Sequence, residues 1–534
     1  MVIAPAILMG LFLAQAPDAP PPGHAPVAPP PAVSGQGGRP APRQAPPPPA
    51  GKPDERPTDP AETETPVVTH HQITVAGKAL KYTATAGMMP LKGATGEVEA
   101  RIFYIAYTVD TPAGSPKRPL LFAFNGGPGS ASVWLHLGTI GPRRVKMMDD
   151  GHMPPPPFEL VDNQSTWLRN ADLVFIDPVG TGYSHADKPE NNRNYWGVRQ
   201  DLRSVGDFIR LYITRNDRWS SPLFVAGESY GTFRAAGLAG DLIDNGIALN
   251  GVVLISTVLN LSAAGGGSGG NDLTYPQFLP TFTAAAWYHK RLPADLEARD
   301  LKSVVTEVRQ WANTDYLLAL NTGDALPQSD RRAVIDRMAR YTGLDKTFID
   351  NVNLRVGAER FYKELLRDRH RTIGRYDARM TGIDPDNAAE YPDYDPSEAV
   401  ARPPFTMTFN EYVRTELGFK TDREYEVLTG IGPWDWGQRG PGSANMAEAL
   451  RAALAKNPYL KVYVAEGYYD MATPWASVEY TFSHMNLDPS MKGSIVSGQY
   501  AAGHMMYLDA VEREKLNGDV GAFIDGAVKA KPAR

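Results

Sequence analysis

Leu223-Phe224-Val225-Ala226-Gly227-Glu228-Ser229-Tyr230-Gly231 is the stretch on which the fold turns. Its first residues are a continuous apolar run, suited to a strand covered on both faces. They lead into Gly-x-Ser-x-Gly, and a helical pattern follows from Thr232 to Ile243. A serine between such a strand and helix sits on a sharp turn that projects its oxygen from the backbone, and flanking glycines let neighbouring chain approach closely. In this setting Ser229 is the candidate nucleophile.

The same grammar repeats outward. Leu120 to Phe124, Leu173 to Ile176, Val252 to Ile255 and Val462 to Ala465 are short apolar runs ending in Gly-rich or polar turns. Arg101 to Val109 is rich in β-branched and aromatic residues. Between them lie amphipathic patterns; Asp201 to Thr214 places Leu202, Val205, Phe208, Ile209 and Tyr212 on one stripe. Strands alternating with helices predict an α/β-hydrolase fold with a mostly parallel central sheet. The alternation stops after Leu261, at a glycine-rich hinge (265–270), and helical patterns such as Leu301 to Leu320 and Arg331 to Tyr341 follow. The expected organisation is a core in two parts, 67–261 and 431–534, split by a helical cap insertion, 262–430.

A serine hydroxyl needs a base to become a nucleophile. In this fold the chain order is Ser, acid, His. His504 follows a strand-like stretch, Gly493 to Val496, and Asp470 follows Val462 to Ala465, so both fall in loops at the carboxyl ends of strands. His484, in a helix-like segment, and Glu466, nearer the strand end, are the rivals. Acyl transfer also develops negative charge on the carbonyl oxygen, which fixed N–H groups stabilise. Tyr230, just after the nucleophile, and Gly127, in Asn125-Gly126-Gly127-Pro128-Gly129, are the candidate oxyanion donors.

Composition narrows the alternatives. The 534 residues carry a net charge of -6 without a basic stripe, which argues against nucleic acid as a partner. There are no cysteines, so disulfides, thiolate metal sites and thiol catalysis are excluded. No metal or other cofactor is implied. Val2 to Ala14 is an apolar run of signal-peptide length, and Ala14-Gln15-Ala16 resembles a cleavage site. Residues 1–16 are therefore expected to direct export to the periplasm or the outside, although no Lys or Arg precedes the run. Residues 17–66 are dense in proline and are expected to be a disordered linker. No later stretch is long and apolar enough for a membrane helix.

The motifs together resemble the serine carboxypeptidases related to carboxypeptidase Y and cathepsin A. The resemblance rests on Asn125 to Ser130, Asp177-Pro178-Val179-Gly180-Thr181-Gly182-Tyr183-Ser184, Gly227 to Gly231, and Gly503-His504-Met505. It implies peptide substrates, release of the C-terminal residue through an acyl-enzyme on Ser229, and substrate-carboxylate binding by Asn125 and Glu228. Glu228 serves that role only when protonated, since two carboxylates repel. The chain departs from the family at Ala123, where a Trp is usual, and at Thr139, where the usual Glu pairs with the elbow Glu. Arg143 and Arg144 follow closely as replacement charges. The family's disulfides are absent, and the cap does not align. The other readings are a different α/β-hydrolase (prolyl aminopeptidase, esterase or acyltransferase) and a non-catalytic binding protein on the same scaffold.

Overall fold

The apolar runs form the middle of one sheet. The computed structural model describes residues 59–265, 270–437, 440 and 444–529; the expected signal, most of the linker and most of the glycine-rich hinge lie outside them. In chain order the strands are β1 (Val67–Val75), β2 (Lys78–Lys92), β3 (Val98–Val109), β4 (Leu120–Phe124), β5 (Arg143–Val145), β6 (Leu160–Asp162) and β7 (Asp172–Ile176). There follow β8 (His185–Ala186), β9 (Leu223–Ser229), β10 (Gly251–Thr257), β11 (Arg371–Ile373), β12 (Thr381–Ile383), β13 (Lys461–Gly467) and β14 (Ile495–Tyr500). The large sheet runs β1-β2-β3-β7-β4-β9-β10-β13-β14, with β8 paired to β3. From β7 to β14 every neighbouring pair is parallel. The β1-β2-β3-β7 end is antiparallel. β5 with β6, and β11 with β12, form separate hairpin-like pairs.

Register explains why the central strands read as unbroken apolar runs. Leu121, Ala123, Phe175, Ala226 and Val253 enter one core, while Leu120, Phe122, Val174, Val225 and Val252 enter another. Successive side chains point to opposite faces, and both faces are covered. Helices such as Val198–Arg215 and Tyr230–Asp244 provide the cover. The last strand lies later than its sequence pattern suggests. Residues 489–494 form a 3-10 turn whose Ser490 N–H is capped by Asp488, and β14 begins only at Ile495. As an edge strand paired on one side, β14 carries Ser497 and Gln499, which broke the apolar signal.

The insertion divides in two. Helices Thr274–Tyr288, Leu301–Trp311 and Gln328–Thr342 share a third core, which also takes in Tyr468, Tyr469, Met471 and Trp475 from the segment after β13. The helix Pro396–Thr415 behaves differently. Its Ala401, Phe405, Phe409 and Tyr412 join the sheet's own core, with the Phe409 ring stacked on Tyr425 at 3.8 Å. The second half of the insertion is thus part of the body. At the other end, residues 59–66, read from sequence as the tail of the linker, carry structure: Thr421 donates to Asp59 at 2.8 Å, and Arg423 pairs with Glu62.

Candidate active site

Ser229 ends β9 and caps the helix Tyr230–Asp244 with φ 60° and ψ -131°. A non-glycine residue there is strained by about 1–3 kcal/mol and persists only where its surroundings over-determine it. Those surroundings are close-packed backbone. A Cβ at Gly227 would lie 2.1 Å from the Gly231 carbonyl oxygen, and one at Gly231 would lie 2.9 Å from that of Phe124. Both motif glycines are therefore steric requirements of the turn. The Asn125–Gly129 loop presses on the same turn, since a Cβ at Gly126 would fall 2.4 Å from Tyr230 N. Tyr230 opens the helix, so its N–H is among those a helix leaves unpaired. Gly126 thereby lies against Tyr230 N, and Gly127 lines the same cavity as Ser229.

The base and its partner come from the loops after β14 and β13. His504 Nδ1 meets Asp470 Oδ2 at 2.8 Å, with both side chains buried. Asp470 is fixed by the Ala472 and Thr473 N–H groups at 2.8 and 2.9 Å and by the Thr473 hydroxyl at 2.7 Å. Burial opposes the imidazolium, but the Asp470 charge and hydrogen bond, with help from Glu228, outweigh it and raise the His504 pKa. The two rivals fall elsewhere. His484 is exposed at a helix end and bonded to the Tyr480 carbonyl. Glu466 is buried with no hydrogen-bond donor to its Oε2, and its pKa is pushed up to about 8 by burial.

Asn125 and Glu228 form a unit beside the nucleophile. Asn125 Nδ2 donates to Glu228 Oε1 at 2.9 Å, and Asn125 Oδ1 accepts from Leu135 N at 3.0 Å. Burial raises the Glu228 pKa to about 7 against the opposing pull of His504, Tyr507 and Asn125. Tyr507 was not singled out from sequence. Its buried hydroxyl faces Glu228 and Asn125 without the alignment of a formed hydrogen bond, and Glu228 Oε2 is likewise unpaired. The ring packs against Gly138, where a Cβ would meet it at 2.3 Å. Gly138 adjoins Thr139, so Tyr507 stands next to the position of the missing partner Glu. Arg143 and Arg144 do not replace it. Arg143 pairs with Asp162 and Glu416, and Arg144 donates to the Val145 carbonyl.

A partly open cavity brings Asn125, Gly127, Glu228, Ser229 and His504 together with Arg375, Tyr376 and Glu398 of the insertion. The turn between β11 and β12 is bound to the site through main chain. His504 N donates to Tyr376 O at 2.6 Å, Met471 N to Arg375 O at 3.1 Å, and Ala378 N to Tyr469 O at 3.0 Å. Asp377 Oδ2 accepts from Gly503 N at 3.1 Å. No sequence motif marks this turn.

The family model for serine carboxypeptidases matches residues 78–506. The chain belongs to the serine carboxypeptidase family. Among curated members, serine carboxypeptidase-like 51 of Arabidopsis thaliana is 33% identical over 144 residues, covering 26% of this chain and 27% of that protein. The pheromone-processing carboxypeptidase KEX1 of Saccharomyces cerevisiae is 31% identical over 156 residues, covering 27% of this chain and 20% of that protein. The chain thus aligns with about a quarter of these relatives' length. The crystal structure of yeast Kex1(delta)p, a prohormone-processing carboxypeptidase, superposes with a TM-score of 0.50 at 16% identity. It covers 83% of this chain and 91% of that one, so this serine carboxypeptidase family member shares its α/β-hydrolase fold. Among the described residues no helix is long and apolar enough to cross a membrane.

Proposed function

We propose that the protein is a serine-type carboxypeptidase that releases C-terminal residues from peptides through an acyl-enzyme on Ser229. The observation that carries this reading is the buried Asn125–Glu228 pair beside Ser229, with the Glu228 pKa raised to about 7. A protonated Glu228 and the second Asn125 N–H can each donate to a terminal carboxylate. Desolvation favours the protonated Glu228, so that corner carries no negative charge until the substrate brings one.

In this reading His504 removes the Ser229 proton as the oxygen attacks the scissile carbonyl. Asp470 holds the imidazole by Nδ1, which presents Nε2 to the serine and stabilises the imidazolium that forms. The Gly127 and Tyr230 N–H groups receive the developing oxyanion, each donor being worth about 2.7–4 kcal/mol of barrier. The imidazolium then protonates the leaving amine, and water repeats the sequence on the acyl-enzyme. The apolar run 2–14 supports export of the enzyme, which N-terminal sequencing of the secreted or periplasmic protein tests.

The decisive experiment compares N-blocked dipeptides with their C-terminal amides, measuring released amino acid. Free acids should be cleaved and amides should show a strongly raised KM. Equal cleavage of both, or cutting of internal bonds, would leave only a serine hydrolase.

A further inference from the structure

The cavity holds one cation that the chemistry above does not use. Arg375 lies in the turn between β11 and β12 and lines the cavity with Ser229 and His504. Its backbone is fixed at both ends: its N–H donates to Asp395 Oδ1 at 3.0 Å, and its carbonyl accepts from Met471 N at 3.1 Å. The next residue carries the His504 N–H on its carbonyl, and its ring lies 5.2 Å from the imidazole. The backbone that carries the Arg375 side chain is therefore fixed relative to the base. Yet among the described residues no hydrogen bond or ion pair reaches the guanidinium, and its contact is with the face of Tyr376 at 5.3 Å. Of the nearby acids, Asp395 keeps Oδ2 buried without a hydrogen bond. Asp395 Oδ1 takes the Ser397 N–H and hydroxyl, and Glu398 pairs with Arg402 at 3.2 Å.

An arginine presents five donors in a planar fork that matches a carboxylate, and a half-buried one without a protein partner is poised for a ligand anion. Arg375 adjoins Tyr376, which packs against His504, so its turn lies on the base side of the cavity. The Asn125–Glu228 pair that would take the terminal carboxylate belongs instead to the ends of β4 and β9. We propose that Arg375 binds a second substrate carboxylate, an acidic side chain flanking the scissile bond, and makes the enzyme selective for Asp- or Glu-containing C-termini. This deepens the carboxypeptidase reading and rests on it.

The test uses the full chain and N-blocked dipeptides carrying Glu or Gln at either position, as free acids and as amides. The wild type should favour Glu over Gln in kcat/KM by at least tenfold at one position. Arg375→Gln should lower that ratio at least tenfold, and Arg375→Lys should retain part of it, which also controls for folding. No Glu preference in the wild type, or an unchanged ratio in Arg375→Gln, overturns the proposal. So does a collapse of the acid-to-amide ratio in place of the Glu-to-Gln ratio, which would assign Arg375 to the terminal carboxylate. If no peptide is cleaved, the carboxypeptidase reading fails by itself, and Arg375 is judged by protection of Ser229 from fluorophosphonate labelling. N-acetylglutamate should protect better than N-acetylglutamine in the wild type and lose that advantage in Arg375→Gln; equal protection by both overturns the proposal.

Discussion

The cavity has two walls of different origin. One is made by β4, β9 and the loops after β13 and β14, where the backbone itself sets every position. Ser229 takes its strained φ of 60° because Gly227, Gly231 and Gly126 admit neighbouring backbone within 3 Å of where a side chain would begin. The other wall is the turn after β11, which contributes Arg375 and Tyr376 through main-chain contacts to Met471 and His504, both distant in the chain. In the proposed reading, the first wall carries the reaction and the second selects among substrates.

The largest expected effects separate the walls. Ser229→Ala should lower kcat by about 10⁴–10⁶-fold and Asp470→Asn by about 10⁴-fold, on every substrate alike. Steady-state kinetics on acidic and neutral peptides would expose any substrate dependence of these losses, and such dependence would blur the distinction. Changes on the insertion wall should instead redistribute activity among substrates.

Smaller effects are expected in pH profiles. In the proposed mechanism the productive form has neutral His504 and protonated Glu228. Activity should therefore rise as His504, whose pKa is raised, loses its proton, and fall as Glu228 ionises near pH 7. Each charge favours the other, so the profile of kcat/KM should be a narrow bell near neutrality. Glu228→Gln should remove the alkaline limb. It should also move the acid limb to lower pH, because the carboxylate that helps raise His504 is gone. Tyr507→Phe should act more gently. The hydroxyl holds the Glu228 pKa down, so its loss should carry the alkaline limb upward while leaving the plateau.

Glu466 offers the smallest effect and a useful contrast with Glu228. Both are buried acids at the ends of parallel strands, but Glu466 has no amide donor and lies outside the cavity. Its folded pKa of about 8 exceeds the unfolded value, so folding is weakened as pH rises from the unfolded pKa to about 8, then levels. Glu466→Gln should reduce that loss, read as a smaller drop in urea midpoint between pH 5 and pH 8, with kcat unchanged.

How legible each wall was follows from the range of its contacts. The elbow, the oxyanion loop and the Asp470 and His504 loops each sit directly after a strand, and strands covered on both faces announce themselves as apolar runs. Local sequence thus singled out Asn125, Gly127, Glu228, Ser229 and His504, which line one cavity. Tyr507 carried no signal, because its meaning comes from Gly138 and Glu228, residues distant in the chain that leave it space and a carboxyl to face. Arg375 was invisible for the same reason: a charged residue in a short turn reads as solvated surface until packing shows where it points. The helix Pro396–Thr415, read within the helical cap insertion, has a mixed pattern with Pro403 and Pro404 inside, which hid that its aromatic side chains join the sheet's core.

The hydrogen bond from His504 N to Tyr376 O has a consequence for how such a protein can diversify. The insertion and the core are not interchangeable modules joined at a hinge, because one peptide group of the insertion helps orient the base. Lengthening or recombining the β11–β12 turn to obtain a new specificity would drag the imidazole with it. Single side-chain replacements on that turn leave the peptide group in place. Inheritance of new substrate preferences in this lineage should therefore proceed by point substitution at the turn, with loop grafting confined to the helices farther from Tyr376.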